Sequence, residues 1–159
     1  MQADIESSRD HVHAARSAKR AHAHSLGVSG RFISLMVETF YARVREDELL
    51  GPIFAERIAD WPAHLERMKS FWRSILFNSG EFSGNPMAKH MALPGLEERH
   101  FVRWLQLFYA NLEALETTPD AVTLVAARAR AIADSLLTGI SIRRDGISGS
   151  KAGRTLPYV

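Results

Sequence analysis

The chain has 159 residues, of which 46% are hydrophobic, and this is enough for one domain with an apolar core. Its 20 basic and 18 acidic residues are interspersed, so we expect no nucleic-acid partner. The absence of cysteine excludes disulfides, thiolate catalysis and cysteine-ligated metals. Without an apolar run of membrane-spanning length or a secretory leader, we expect a cytoplasmic protein that does not contact the membrane and is by default a monomer.

Residues 1–28 are rich in Ala, Arg, Ser and His and contain few apolar side chains. We expect an N-terminal extension that is loosely helical or disordered. The segment carries two His-x-His pairs, which could capture a metal, although a solvated extension explains them more simply. The histidines are His11, His13, His22 and His24.

From Ser29, a plausible helix cap, apolar residues recur at steps of three and four, and this spacing predicts an amphipathic helix. Its apolar face comprises Phe32, Ile33, Met36, Val37, Phe40, Tyr41 and Val44. Residues 50–54 predict a tight connector, because Pro52 disfavours helix at the residue before it.

Asp60 is expected to cap a second helix with Pro62 in its first turn. The inner face of that helix would comprise Leu65, Met68, Phe71, Trp72, Ile75 and Leu76. Residues 78–86 are predicted to form a loop. The next segment, residues 87–91, is at most one helical turn, and it holds His90 between Pro86 and Pro94.

Two more long helices follow, and the second begins at Thr118 and Pro119. The third helix carries Phe101, Trp104, Leu105, Phe108, Leu112 and Leu115, and the fourth carries Val122, Val125, Ala129, Ile132, Ala133, Leu136 and Ile140. Residues 143–159 are rich in Gly, Ser and charge and are predicted to be disordered.

No segment alternates with a period of two, so the sequence predicts an all-α protein with four long helices and one very short one. A long loop inside a compact helical domain is unusual. A bound cofactor would explain it by filling the space that a longer helix would otherwise occupy.

Several motifs follow one another in a fixed order along the chain: Phe40-Tyr41, Val44-Arg45, Asp47, Leu50-Gly51-Pro52-Ile53-Phe54, Trp61, His64, Phe71-Trp72, Gly84, Pro86, His90, Leu93-Pro94, Leu96, His100-Phe101, Trp104-Leu105 and Phe108. In this order they resemble the group III truncated haemoglobins across residues 30–142. The other two groups of truncated haemoglobins carry paired glycines, so the absence of any Gly-Gly pair here also favours group III. We therefore expect a truncated globin domain over residues 29–142, flanked by the extension and the tail.

The resemblance implies a truncated globin fold, a two-over-two helical sandwich around haem b. It implies that His90 is the proximal iron ligand and that Tyr41, Trp104 and His64 line the opposite, distal side. The expected haem contacts are Phe40, Phe54, Arg67, Met68, Phe71, Trp72, Leu93, Trp104 and Phe108.

Each of these assignments has an alternative. His100 competes with His90 as the ligand, although it could instead contact a haem propionate or cap the third helix. Tyr41 could be a core tyrosine tied to the backbone, and Trp104 could serve packing alone. His64 could be a gate or an inert surface residue.

Arg67 lies one helical turn beyond His64. It could be a solvated arginine, or it could pair with a haem propionate at the mouth of the pocket.

Two hydrogen-bond donors facing the ligand would slow the release of dioxygen. We therefore expect binding of dioxygen, carbon monoxide, nitric oxide or peroxide at a pentacoordinate or weakly hexacoordinate iron. The expected activity is nitric oxide detoxification or a peroxidase-like reaction, supported by a reductase, rather than oxygen transport. One alternative is a haem-based gas sensor or ligand-responsive binding module, and another is a cofactor-free helical interaction protein.

Overall fold

The computed structural model describes residues 2–146 and 156–159, with the first two of these described by their backbone only. Within that part of the chain there are seven helices and no strand, which confirms the all-α prediction. The helices are α1 (Gln2–Ser25), α2 (Gly30–Glu46), α3 (Gly51–Arg57), α4 (Trp61–Phe77), α5 (Pro86–Met91), α6 (Glu98–Ala114) and α7 (Pro119–Asp145).

Four helices begin at a short polar side chain that accepts a hydrogen bond from the backbone N–H three residues later. The capping residues are Ser29, Asp60, Asn85 and Thr118, at distances of 3.0–3.1 Å. Each cap satisfies a backbone donor that the first helical turn would otherwise leave unpaired. The predicted caps at the starts of α2 and α4 are thus confirmed, and α7 begins where it was expected, after Thr118.

The connector predicted after α2 is instead a short helix, α3, so that expectation was wrong. The proline ring disfavours helix at the preceding residue because it clashes with the backbone N–H and the Cβ of that residue. The residue before Pro52 is Gly51, which has no Cβ, so this clash is smaller here. A Cβ at Gly51 would also lie 2.8 Å from the Arg45 carbonyl oxygen. The glycine therefore permits both the helical turn and its close approach to the end of α2.

Asp47 organises the corner between α2 and α3. Its carboxylate accepts hydrogen bonds from the N–H groups of Leu49 and Leu50, and from Arg103 Nε on α6 at 2.7 Å. Burial alone would raise the pKa of Asp47, but the bonds from Arg103 and the backbone hold it below its ordinary value. The corner is thereby tied to the helix that carries Trp104.

The core lies between two helix pairs, α2 with α4 and α6 with α7, which meet through α2 and α6. Asn111 on α6 is fully buried and donates to the Met36 carbonyl oxygen on α2 at 3.1 Å. Lys69 on α4 donates to Glu38 on α2 at 2.7 Å. The largest fully buried apolar side chains are Phe40, Phe108, Ile33, Met36, Leu105 and Leu112.

The N-terminal extension forms one continuous helix of 24 residues, α1, packed against the end of α4. The Arg20 guanidinium lies 5.4 Å from the centre of the Phe77 ring, and the His24 ring lies 5.3 Å from it. Across residues 2–146 and 156–159, no cluster of three or more His, Asp or Glu side chains is placed to hold a metal ion.

The chain end differs from the disordered tail that we expected. Helix α7 continues to Asp145, and Leu156 is buried at 2% exposure. The Tyr109 hydroxyl donates to the Pro157 carbonyl oxygen at 2.8 Å, and the Tyr158 ring lies 3.7 Å from the Arg130 guanidinium carbon. The tail as a whole is polar, so its composition did not indicate that Leu156 would be buried. The expectation of disorder for residues 147–155 lies outside the described residues.

In the described part of the chain, no helix is long and apolar enough to cross a membrane.

Candidate functional site

His90 lies in the last turn of α5, a six-residue helix that Asn85 caps and Pro86 opens. Its Nδ1 lies 2.6 Å from the Pro86 carbonyl oxygen. A carbonyl can only accept a hydrogen bond, so Nδ1 carries a proton, and in the neutral ring Nε2 then keeps its lone pair. This is the arrangement in which metal-binding histidines are usually held, since one nitrogen is fixed by a carbonyl and the other is presented to the metal.

His100, the competing candidate, has the opposite arrangement. It is buried, and its Nδ1 accepts a hydrogen bond from the Glu97 N–H at 3.0 Å. In the neutral ring the proton is then on Nε2, so neither nitrogen offers a free lone pair. The geometry therefore gives His100 the role of a cap at the start of α6, which is one of the alternatives that the sequence left open.

Tyr41 lies at the centre of an aromatic cluster formed by α2, α3 and α4. Its ring centre is 5.2 Å from that of His64, 5.8 Å from Phe54 and 6.0 Å from Trp61. Within the described residues, its hydroxyl makes no hydrogen bond to backbone or side chain. Burial raises the pKa of Tyr41 above its ordinary value, so the hydroxyl remains a neutral donor.

His64 carries a buried nitrogen with no partner among the described residues. Its Nε2 is fully buried and makes no hydrogen bond there. Burial lowers the pKa of His64 to about 4, and the positive charges of Arg67 and Lys89 add to the effect. An unpaired buried polar group costs about 1–3 kcal/mol. The ring is therefore neutral near pH 7, and a ligand or water bound in this region could remove the penalty.

Trp104 belongs to a stack of three aromatic rings. Its ring lies 5.4 Å from that of Phe108 at an angle of 17°, and Trp72 lies on the other side of the stack, 5.2 Å from Phe108. The edge-on Phe40 ring lies 5.5 Å from Trp104. Packing is thus one role of Trp104. Its indole N–H makes no hydrogen bond to a described residue and is available to another acceptor.

The other residues that were expected to contact haem are partly or fully exposed to solvent. Arg67 is exposed, whereas four large apolar side chains are half-buried: Phe54, Met68, Phe71 and Leu93. Among described residues, His90 makes no ring contact or hydrogen bond with Tyr41, His64 or Trp104. The structure therefore brings Tyr41 and His64 together in the aromatic cluster and places Trp104 in the stack, whereas His90 lies on a separate helix.

Trp61 is also a member of this aromatic cluster, although it was not among the predicted site residues. It stacks on Phe54, contacts the His64 ring at 5.7 Å and lies under the Arg45 guanidinium at 4.5 Å. Its position three residues before His64 on α4 is the signal that could have identified it, because residues at this spacing are neighbours on a helix.

Known proteins resemble this chain in sequence and in fold. No family model matches the chain. The chain is 37% identical over 84 residues to the Group 3 truncated hemoglobin ctb of Campylobacter jejuni, a match covering 50% of this chain and 66% of that protein, just under two thirds. A crystal structure of the group III truncated hemoglobin from Campylobacter jejuni superposes with a TM-score of 0.65 and 31% identity, covering 69% of this chain and 89% of that one.

The fold is that of a truncated globin, as the sequence predicted. The chain belongs to the group III truncated haemoglobins.

The neutral state of His64 predicts a pH effect on the stability of the protein without added haem. An unfolded histidine takes up a proton near pH 6.5, whereas folded His64 does so only near pH 4. Stability should therefore fall as the pH decreases from about 6.5 towards 4, because the unfolded state binds the extra proton. In His64→Leu this part of the fall is removed. Urea unfolding at pH 7.5 and at pH 5 measures the free energy of unfolding of both proteins. If both proteins lose the same amount of this free energy between the two pH values, the burial of His64 is contradicted.

Proposed function

We propose that this chain binds haem b through His90 and holds a diatomic ligand against Tyr41 and Trp104 for redox chemistry rather than oxygen transport. The observation that carries the proposal is the 2.6 Å contact between His90 Nδ1 and the Pro86 carbonyl oxygen, which leaves Nε2 as a ligand. The names of the two relatives, both hemoglobins, support the same class of function.

The residues of the site fit a haem group. Haem is a flat apolar macrocycle, and the half-buried faces of Phe54, Met68, Phe71 and Leu93 could be covered by it. The unpaired buried Nε2 of His64 would gain a partner in a ligand on the distal side. Arg67 is exposed and could pair with a propionate.

Haem iron supplies reversible binding and reduction of diatomic ligands and peroxide, and the protein tunes it through its ligand and the surrounding donors. Tyr41 remains a neutral hydroxyl donor because burial raises its pKa. Trp104 is held by its stack with Phe108, and its N–H is available to a ligand. Both groups would donate to dioxygen, whose charge on binding makes each hydrogen bond charge-assisted.

Two such donors favour retention of the ligand. A hydrogen bond to a charged partner is worth about 1.5–3 kcal/mol, or roughly ten- to a hundredfold in the rate of release. Slow release is poorly suited to oxygen delivery and well suited to a reaction with nitric oxide, or to the use of peroxide as an oxidant. These reactions consume electrons, so the proposal includes a reductase as a partner, in the cytoplasm.

Reconstitution with haem tests the proposal. We expect the protein to bind one equivalent of hemin and to give ferric, ferrous and carbon monoxide absorption spectra of a histidine-ligated haem. The ferrous protein should release dioxygen slowly and then turn over nitric oxide or peroxide. A folded protein that stays colourless with excess hemin would contradict haem binding. Negligible turnover, with partner binding that depends on ligation, would favour the gas sensor.

A further inference from the structure

Two aromatic rings from different helices contact the His64 imidazole. The Tyr41 ring of α2 lies 5.2 Å from it at an angle of 89°, and the Trp61 ring at the start of α4 lies 5.7 Å from it at 85°. Both contacts are edge to face, which is a favourable arrangement of aromatic rings. The imidazole Nε2 is fully buried. The buried orientation of the imidazole is therefore the one in which it contacts both rings.

This orientation has a cost that the ring contacts must offset. Nε2 has no hydrogen-bond partner among the described residues, and an unpaired buried nitrogen is unfavourable. The His64 side chain as a whole is only half-buried, so solvent is close to it. If the imidazole turned towards solvent, water would pair with the nitrogen. The edge-to-face contacts with Tyr41 and Trp61 oppose that movement.

Trp61 is held in turn by side chains of two other helices. The Arg45 guanidinium at the end of α2 lies 4.5 Å from the centre of its ring, and the Phe54 ring of α3 lies 6.5 Å away at an angle of 27°. A guanidinium this close to the face of a tryptophan ring is attracted to it electrostatically. Trp61 is the first residue of α4 and is half-exposed, so its position depends on these contacts more than on burial.

The contacts thus link Arg45 to Trp61 and Trp61 to His64. We propose that Trp61 is a positioning residue whose ring keeps the His64 imidazole turned inward, and that Arg45 holds Trp61 in that place. This inference rests on the proposed function, in which His64 faces a ligand bound to the haem iron. Without Trp61 or Arg45, the imidazole would spend more time in water and less time beside the ligand.

The pKa of His64 reports how much of the time the imidazole is turned inward. Burial lowers this pKa to about 4, and the charges of Arg67 on the same helix and Lys89 on α5 add to the effect. Tyr41 faces the imidazole from α2 as a neutral hydroxyl. A ring that spends more time in water takes up its proton closer to the ordinary value of 6.5.

NMR titration of the histidine resonances in the full chain without haem measures this pKa, and His64→Leu identifies the resonance. We expect Trp61→Leu to raise the pKa of His64 by about one unit or more, because burial can shift a pKa by several units. Trp61→Phe keeps a ring at this position and should raise the pKa less. The titration runs from pH 8 to 5, where a ring with the raised pKa takes up its proton and the wild-type ring hardly does. An unchanged pKa in Trp61→Leu would overturn the inference.

Arg45→Met tests the support of Trp61, and Arg43→Met is the matched control. Both arginines are exposed in the last turn of α2, so neither change removes core packing, and both remove the same charge. The pKa of His64 should rise in Arg45→Met and keep its wild-type value in Arg43→Met. An equal change in the two variants, or no change in Arg45→Met, would overturn the role of Arg45.

A double-mutant cycle identifies the route, since the effects of contacting residues are not additive. Loss of the Arg45 charge would itself raise the pKa of His64 if that charge acted directly across space. Such a direct effect would persist in a Trp61→Leu background, whereas an effect carried by the Trp61 ring would disappear. We expect Arg45→Met to add no shift in that background. An equal shift with and without Trp61 would overturn the link.

The protein with haem and carbon monoxide provides a second readout and separates two kinds of failure. The infrared stretching band of bound carbon monoxide responds to polar groups that face it. Trp61→Leu should therefore show a second band, from molecules whose imidazole has turned away, and His64→Leu should show that band alone. If hemin binds but neither the pKa nor the band changes in Trp61→Leu, only the role of Trp61 fails. If the wild type binds no hemin, the proposed function fails, and the titration without haem still measures whether Trp61 positions His64.

Discussion

His90→Gly is expected to abolish stable haem binding while leaving the helical fold in place. Loss of a group that only orients a metal ligand costs about 10–100-fold in affinity, and loss of the ligand itself should cost more. The substitution removes no buried packing, because α5 contributes no buried residue. Hemin titration followed by transfer of haem to an acceptor protein measures the loss. Added imidazole should restore the spectrum by occupying the vacated position.

His100→Ala is the control for this variant. Its ring caps α6 through the bond from the Glu97 N–H, and loss of a helix cap costs about 1 kcal/mol of stability. We therefore expect a lower urea midpoint with unchanged haem spectra. If His100→Ala loses the haem and His90→Gly keeps it, the two histidines have been assigned the wrong way round.

Tyr41→Phe is expected to accelerate dioxygen release by about ten- to a hundredfold, the effect of losing one hydrogen bond to a charged acceptor. The ring keeps its packing in the aromatic cluster. Its hydroxyl makes no hydrogen bond to a described residue, so stability without haem should stay equal or rise. Stopped-flow displacement of dioxygen by carbon monoxide measures the rate, and urea unfolding measures the stability.

The opposite pair of results would identify a core tyrosine. Lower stability without haem, with dioxygen release at the wild-type rate, would show that the hydroxyl supports the fold and not the ligand. Trp104→Phe is the companion variant, since it keeps a ring on Phe108 and removes only the indole donor. A double variant that releases dioxygen faster than either single variant would show that both groups donate.

The sequence predicts those parts of the fold that depend on neighbouring residues. Ser29 and Asp60 could be identified as caps because a cap needs only its own side chain and a backbone N–H three residues later. The amphipathic faces of α2 and α6 follow from three- and four-residue spacing in the same way. Caps and amphipathic faces both depend on residues that are close together in the chain, so both can be identified from the sequence.

Contacts between distant residues could not be predicted in this way. The chain end is held by Tyr109, whose hydroxyl donates to the carbonyl oxygen of Pro157, 48 residues further along the chain. Local composition favours disorder there, and a tertiary contact outweighs that preference. The short helix α3 was missed for a different reason: the residue before Pro52 is a glycine without a Cβ, so the usual restriction before proline is weakened.

The candidate site also has features that the sequence predicts and features that only the structure shows. The sequence names His90 and His100 as competing ligands, but spacing alone cannot distinguish them. The difference lies in which ring nitrogen each backbone group engages, since His90 faces a carbonyl and His100 faces an N–H.

A crystal structure of the haem-reconstituted protein tests the central claim most directly. We expect the His90 Nε2 to lie at a metal–imidazole bonding distance from the iron, about 2 Å, with Nδ1 still on the Pro86 carbonyl. Tyr41 and Trp104 should lie on the opposite face of the haem. Iron bound by another side chain, or a His90 ring turned to solvent, would contradict the account.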